Sequence, residues 1–514
     1  METTYLILLI LLLLYIPFYF YVRAGKLSHR GIVKYGPTVM FKTSRGVHYL
    51  DKIAKYKRFW RVFGTISKVM ALFLMIMIIM ILVLNLTVMP LMMNSPGIGV
   101  EYALAIPGLN PIIPLFYGVI GLVVAVAVHE IAHGIQTRAN DMDVESTGLL
   151  YAVVPIGAFV EPNNDQIEKC GRKARSSMFA AGIAVNLTLA IVLFLVMSVG
   201  MMGTMSSDQY GERAAVTNVT SGSPADDSGI GFSSVILKIN DVPMTTYDEL
   251  MDYSFELGVP YAVSYGTRDG PLTATGVYLG VYVSGVASGS PIYEAGITSG
   301  NFFIKEIEGR EITSFNSFAE IMKDYHPTEV IEIKYVEYAN GALGAEGKEY
   351  ITLGDNNGRP YIGIYYSLSG FSFTTPDAVL EAMRNPLHDV DSITDAAYAA
   401  IMYIGLPMRG YSPLPAEMTW WYDSSLMSDD VFWVVLQIIF WIFWLNLLLG
   451  VTNALPAIPF DGGYLFRDGV GAIVDRTHKN STPEKREAIT NGITKVMSYF
   501  MLMILLLIMV AVLF

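Results

Sequence analysis

One cysteine, Cys170, occurs in 514 residues, which excludes an internal disulfide framework and any metal site built on several thiolates. Charge is scarce as well: 16% of the residues are Asp, Glu, Lys or Arg, where a soluble globular protein carries about a quarter. The composition instead holds 53% hydrophobic residues and a positive mean hydropathy. Nothing in it marks a nucleic-acid partner. The Lys and Arg residues sit beside apolar runs, where orientation in a bilayer accounts for them. The chain is that of a membrane protein, with the lipid bilayer as its first partner, and Cys170 is a bystander near the membrane surface.

What charge there is divides unevenly. Residues 205–427 hold 29 acidic and 11 basic side chains of the 46 and 34 in the chain, so an acidic insert interrupts a body whose loops are basic. Six apolar runs long enough to cross about 30 Å of hydrocarbon are expected at 4–22, 68–93, 111–138, 176–203, 431–458 and 488–514. The first is a retained helix rather than a signal peptide, because its flank is acidic and no small-residue cleavage site follows it. Eleven Lys/Arg against the single acid Asp51 lie between Arg23 and Arg61, which puts this loop in the cytoplasm by the positive-inside rule. The N-terminus and the acidic insert are then external. Gly148 to Pro162 is apolar but too short to span, and Pro155 and Gly157 oppose a regular helix. A re-entrant hairpin is expected there, covered by protein or a wet cavity.

The insert repeats itself. Ser221-Gly-Ser-Pro-Ala-Asp-Asp-Ser-Gly-Ile230 recurs 67 residues later as Ser288-Gly-Ser-Pro-Ile-Tyr-Glu-Ala-Gly-Ile297, each copy lying between alternating strands and preceding a short amphipathic helix. The pattern resembles tandem PDZ-like domains, at 205–278 and 279–367. That resemblance implies peptide capture by strand addition, and Tyr278-Leu279-Gly280-Val281 looks like the loop that holds a peptide C-terminus. Residues 368–428 are expected to be an external linker of loops with one surface-lying helix around 392–406.

Within 111–138, His129 and His133 stand four apart, with Glu130 beside the first. A charged side chain at mid-membrane costs about 2.5–3.5 kcal/mol on insertion scales, so ionisable groups there are functional candidates. Positions four apart share a helix face, and two imidazoles so placed reach one metal while the Glu works on a water. Zinc suits imidazole and keeps three protein ligands with one open position. Asp461 is the best candidate for the third ligand, at the inner end of the fifth span, after Pro456 and Pro459 break the helix and before Gly462-Gly463, which are expected to permit a tight turn. Glu161 and Glu168 are the alternatives.

His129-Glu-Ile-Ala-His133, together with Asn453-Ala-Leu-Pro456-Ala-Ile-Pro-Phe-Asp461-Gly462, resembles the two signature motifs of the site-2 protease family of intramembrane zinc metalloproteases. Gly182 to Asn186 and Gly157 to Pro162 resemble further family segments. The resemblance implies one Zn2+ per chain, held by His129, His133 and Asp461, with Glu130 as base and Asn453 holding substrate or oxyanion. It gives Asn186 a weaker claim to a catalytic part. The implied substrate is a single-span membrane protein cut near the cytoplasmic face. The expected architecture is a polytopic α-helical membrane protein with one re-entrant hairpin and two inserted β-rich domains. Its segments are 1–110 (two helices and the basic loop), 111–204 (the His-bearing helix, the hairpin and the fourth helix), the insert and linker, and 429–514 (the Asp461 motif and the last helix). The rival reading is a PDZ-bearing receptor or scaffold with a structural metal, but such a site has no use for Glu130.

Overall fold

The computed structural model describes residues 2–92, 102, 106–386 and 390–513, and the chain divides into two compact units. The first comprises Met1–Gly200, Ala400–Pro413 and Trp433–Phe514. Its helices are α1 (Glu2–Arg23), α2 (Arg45–Ala54), α3 (Lys57–Met92), α4 (Leu115–Ala139), α5 (Asn164–Lys169), α6 (Arg172–Leu195), α7 (Asp429–Asn453), α8 (Asp461–Thr477) and α9 (Pro483–Leu513). Of the six spans expected, five are helices long and apolar enough to cross a membrane: Lys57–Thr87, Leu115–Ala139, Arg172–Thr204, Asp429–Asn453 and Pro483–Ala511. The remaining one lies in α1, whose apolar stretch Leu9–Arg23 is shorter among the described residues.

Helix α4 is built for close approach. Its buried positions include Gly118, Gly121, Ala125, His129 and Ala132, steps of three and four that put small residues and His129 on one face. A Cβ added at Gly121 would lie 2.6 Å from the Trp441 carbonyl oxygen of α7. Small residues let membrane helices touch backbone to backbone. Here they seat His129 inside the bundle, 5% exposed.

The hairpin expected at 148–162 forms, but as half of something larger. Strands β1 (Ile32–Tyr35), β2 (Thr38–Thr43), β3 (Val144–Ala152) and β4 (Val154–Pro162) make an antiparallel sheet in that order. The basic segment after α1 is therefore corrected from a loop to a hairpin plus α2, with Val39 opposite Tyr151 and Phe41 opposite Leu149. Two strands alone are marginal. The added pair completes the sheet and leaves β4 as an edge. Glu161 of β4 is clamped by Lys42 Nζ of β2 at 2.8 Å and by Ser146 Oγ of β3 at 2.6 Å, contacts that hold its carboxyl below the usual range through the Lys42 and then the Ser146 hydrogen bond.

The second unit comprises Met201–Ala399 and Leu414–Phe432. Strands β5 (Ala215–Val219), β6 (Val235–Ile239), β7 (Pro260–Thr267) and β8 (Gly270–Tyr278) alternate with helices Pro224–Ser228 and Tyr247–Asp252. Strands β9 (Val281–Val286), β10 (Phe302–Ile307), β11 (Val330–Ala339) and β12 (Ala342–Thr352) follow in the same order, with helices Pro291–Glu294 and Phe315–Met322. Strands β13 (Ile364–Leu368) and β14 (Phe371–Thr374) then close the sheet, which runs β8-β7-β6-β5-β14-β13-β9-β10-β11-β12. The linker expected at 368–428 is corrected accordingly: β14 pairs with β5, and the helix Pro376–Arg384 packs in the same unit, anchored by Arg384 on the Met202 carbonyl. Chain return to β5 serves a strand that would otherwise be half-paired. The helices of the two Ser-Pro turns each start at proline after Ser223 or Ser290. In the segment expected to capture a peptide carboxylate, Gly280 N–H donates to Ser369 Oγ and its carbonyl accepts from Ser369 N–H, so that amide is already engaged internally.

Candidate metal centre

Helical spacing brings His129 and His133 onto one face of α4, and the start of α8 brings Asp461 against them. His129 Nε2 lies 3.0 Å and His133 Nε2 3.1 Å from Asp461 Oδ2, and the two ring nitrogens are 3.1 Å apart. Among the described residues this is the one group of three His, Cys, Asp or Glu side chains whose donor atoms converge closely enough for a metal ion. These separations are near the roughly 3.3 Å edge of a tetrahedron with zinc bonds of about 2.0–2.1 Å. Two nitrogens and one carboxylate oxygen are a donor set that zinc accepts.

The protonation pattern fits a cation as well. His133 Nδ1 lies 2.8 Å from the Met178 carbonyl of α6. A carbonyl only accepts, so Nδ1 carries a proton, and Nε2 is the ring atom turned toward Asp461 and available to a metal. Metal-binding histidines are held in this way by their outer neighbours. Asp461 Oδ2 is buried with the two imidazole Nε2 atoms as its polar neighbours, a costly arrangement for a carboxylate unless positive charge compensates it. Gly182 of α6 completes the cradle: an added Cβ there would lie 2.6 Å from His133 Nε2 and 2.8 Å from His129 Nε2.

Asp461 is the first residue of α8, with Phe460 as N-cap. The two glycines after it do not make the turn that their sequence suggests, because both lie inside the helix. Their role is contact. An added Cβ at Gly462 would lie 2.2 Å from the Ala454 carbonyl oxygen, and one at Gly463 would lie 2.5 Å from the Ala457 carbonyl carbon. The missing side chains let the first turn of α8 press on the 454–457 backbone.

Glu130 accepts from Val160 N–H of β4 at 3.2 Å, so the edge strand holds the carboxylate beside the two histidines. Glu130, His133, Val160 and Asp461 line a cavity of about 1150 Å³, with Arg175, Phe179, Tyr464 and Asp468 further along its wall. The other candidates lie otherwise. Asn453 Nδ2 donates to the Leu449 carbonyl of its own helix, and Asn453 is absent from the cavity lining. Asn186 is fully buried and donates to the Ala125 carbonyl at 3.3 Å, joining α6 to α4. Glu161 is taken by Lys42 and Ser146. Glu168 is exposed on the cavity wall and outside the converging group. Sequence reasoning missed Met178 and Val160, which act through backbone atoms that no side-chain pattern reveals. Gly182 left a trace, a glycine inside an apolar helix.

Comparison with known proteins finds relatives over parts of the chain. An uncharacterized protein of Methanocaldococcus jannaschii is 29% identical over 191 residues, covering 37% of this chain and 50% of the relative. A Clostridium acetobutylicum protein named "Putative zinc metalloprotease" is 26% identical over 151 residues, covering 25% of this chain and 42% of the relative. The chain thus spans half or less of the length of these relatives. The model of peptidase family M50 matches residues 117–505, from the first turn of α4 into the last helix. The two histidines, the aspartate that meets them and the spans that carry them all fall inside that match, and the chain belongs to peptidase family M50, the site-2 protease family.

Proposed function

We propose that this chain is an intramembrane zinc metalloprotease, hydrolysing a peptide bond in or near the transmembrane segment of a membrane-protein substrate. The observation that carries the reading is the convergence of His129, His133 and Asp461 beside Glu130, on elements of a bundle of membrane-length apolar helices. The printed name of the clostridial relative is of the same chemical class. Zinc held by the three residues would polarise the scissile carbonyl and lower the pKa of its water toward neutrality.

The protein's own groups do the rest. Glu130 accepts the attacking water's proton and delivers it to the leaving amine. Val160 N–H keeps that carboxylate aimed. A helical substrate has its carbonyls already bonded, so it must unwind before cleavage, and the open edge of β4 offers the extended segment a partner strand. The hairpin stretch Leu149 to Val160 contributes to both β3 and β4. The partner role belongs to β4 alone, since β3 is paired on both sides. Asn453, the last residue of α7, is left with its helix-end hydrogen bond and no assigned step.

Orientation follows from charge: the basic segments flank the inner face, and the acidic second unit, with its two PDZ-like halves, lies outside and filters which substrates approach. The deciding experiment places wild type and Glu130→Ala in liposomes with a single-span substrate and measures zinc in both. Cleavage by wild type alone, with equal zinc, supports the reading. Equal cleavage by the two ends it.

A further inference from the structure

Helices α6 and α8 meet through a row of contacts that leads to the metal centre. Phe179 of α6 stacks on Tyr464 of α8, with ring centroids 4.5 Å apart and planes 7° from parallel. One turn outward, Arg175 forks onto Asp468, with Nη2 at 2.5 Å and Nε at 3.1 Å from Oδ1, and Ser176 Oγ adds a bond to Oδ2 at 3.0 Å. One turn further, the guanidinium of Arg172 covers Gly471, where an added Cβ would lie 3.0 Å from Nη2, and Nη1 reaches Asp475 at 2.5 Å. The numbers fall along α6 as they rise along α8, in helical steps of three and four, so the helices run antiparallel with one face each in register. One more step inward brings Asp461 level with Gly182, the glycine that backs both histidines.

We infer that Arg175 and Asp468 are positioning residues for the metal centre: their ion pair sets the register of α8 on α6 and thereby places Asp461 against His129 and His133. Asp468 is 5% exposed and its hydrogen bonds go to Arg175 and Ser176 of α6, so the fork and the hydroxyl bond are made together in this register only. An inward slip of one turn would set Asp468 against Phe179 and leave a buried carboxylate unpaired, a state far more costly than the loss of a surface pair. An outward slip would exchange the Arg175 fork and the Ser176 bond for Arg172, whose guanidinium is already engaged by Asp475. The same helix α6 holds His133 through the Met178 carbonyl. Two ligands and the helix bearing the third are therefore referred to a single element. The pair also spans the chain, joining residues on opposite sides of the second unit's insertion, so no local sequence preference could fix this register.

This inference rests on the metal-centre reading, and the test separates the two. Full-length protein in detergent is titrated with zinc against a chelating fluorophore. Asp468→Asn is expected to bind zinc about 10–100-fold more weakly, the range for losing an outer-neighbour contact, and to recover near wild-type kcat at saturating zinc. Asp475→Asn, at a half-exposed pair, should stay within about twofold. The swapped pair Arg175→Asp with Asp468→Arg should restore part of the lost affinity. Wild-type zinc affinity in Asp468→Asn overturns the inference. Where that variant fails to fold, Arg175→Lys, which keeps the charge and loses the fork, carries the test, with a several-fold loss expected and unchanged affinity overturning it. A wild-type protein that binds no zinc removes the metal centre itself.

Discussion

The backbone N–H of Val160 donates to the Glu130 carboxylate at 3.2 Å, so the base of α4 is held by the open edge of β4. In an antiparallel ladder the N–H groups alternate between partner and free side. Val160 bonds outward, so Phe159 faces β3, with which it is registered at Gly148. Val160→Pro therefore removes the contact to Glu130 without removing a ladder bond, since proline is tolerated on the outer side of an edge. Cleavage of a single-span substrate should fall about tenfold or more, the worth of one hydrogen bond to a charged group, with zinc content unchanged. Phe159→Pro should instead disrupt the sheet. Undiminished cleavage by Val160→Pro would dismiss β4 as the holder of the base.

Gly182 is the wall behind the histidines. Gly182→Ala puts a methyl 2.6 Å from His133 Nε2, closer than real carbon atoms come to such a neighbour. The bundle should still fold, since alanine favours a helix more than glycine does. Zinc retention after dialysis is expected to drop by at least about tenfold. An alanine variant with full zinc content would show that the histidines can shift without cost.

Separate variants distinguish ligand from base. Asp461→Ala removes the third donor, and zinc per chain should fall with cleavage. Glu130→Gln keeps the volume and the Val160 contact, so zinc should stay near one per chain while cleavage falls by about 10²–10⁴-fold, the usual worth of a general base. Elemental analysis beside the cleavage assay reads both quantities. A Glu130→Gln protein that cleaves normally would overturn its role.

The Glu161 clamp implies a pH dependence of definite sign. Its folded-state pKa is lowered, first by the Lys42 hydrogen bond and then by Ser146, so its stabilisation is present above the ordinary Glu value of about 4.3 and is lost as pH falls through the lower folded value. The Glu161 side chain is 40% exposed, which limits the effect to below about 1 kcal/mol. Between about pH 6 and pH 3, wild type should lose more thermal stability than Glu161→Gln. Parallel losses would mean that the clamp adds nothing.

Several features were legible in the residues because they depend on neighbours close in the chain. The four-residue spacing of His129 and His133 fixes a shared face on any helix, and apolar length marks the spans whatever their packing. The Ser-Pro turns recur with their flanking strands because capping and alternation are local. The edges of the reading fell where pairing is long-range. Nothing within 32–43 announces that it will extend a sheet begun at 144, and nothing at 371–374 announces a return to the strand at 215, since register between distant strands is set by which partner is available.

By itself, then, the sequence determined the chemistry on offer: two imidazoles, a base beside them, an aspartate after a broken helix, and a membrane to hold them. The tertiary structure alone decided the site. It chose Asp461 over Glu161 by giving Glu161 to Lys42, opened only one strand of the hairpin by covering the other, and placed a glycine where the histidines need room. Each of these choices is made by groups far apart in the chain competing for the same space or the same hydrogen-bond partner, and that competition exists only once the helices are packed.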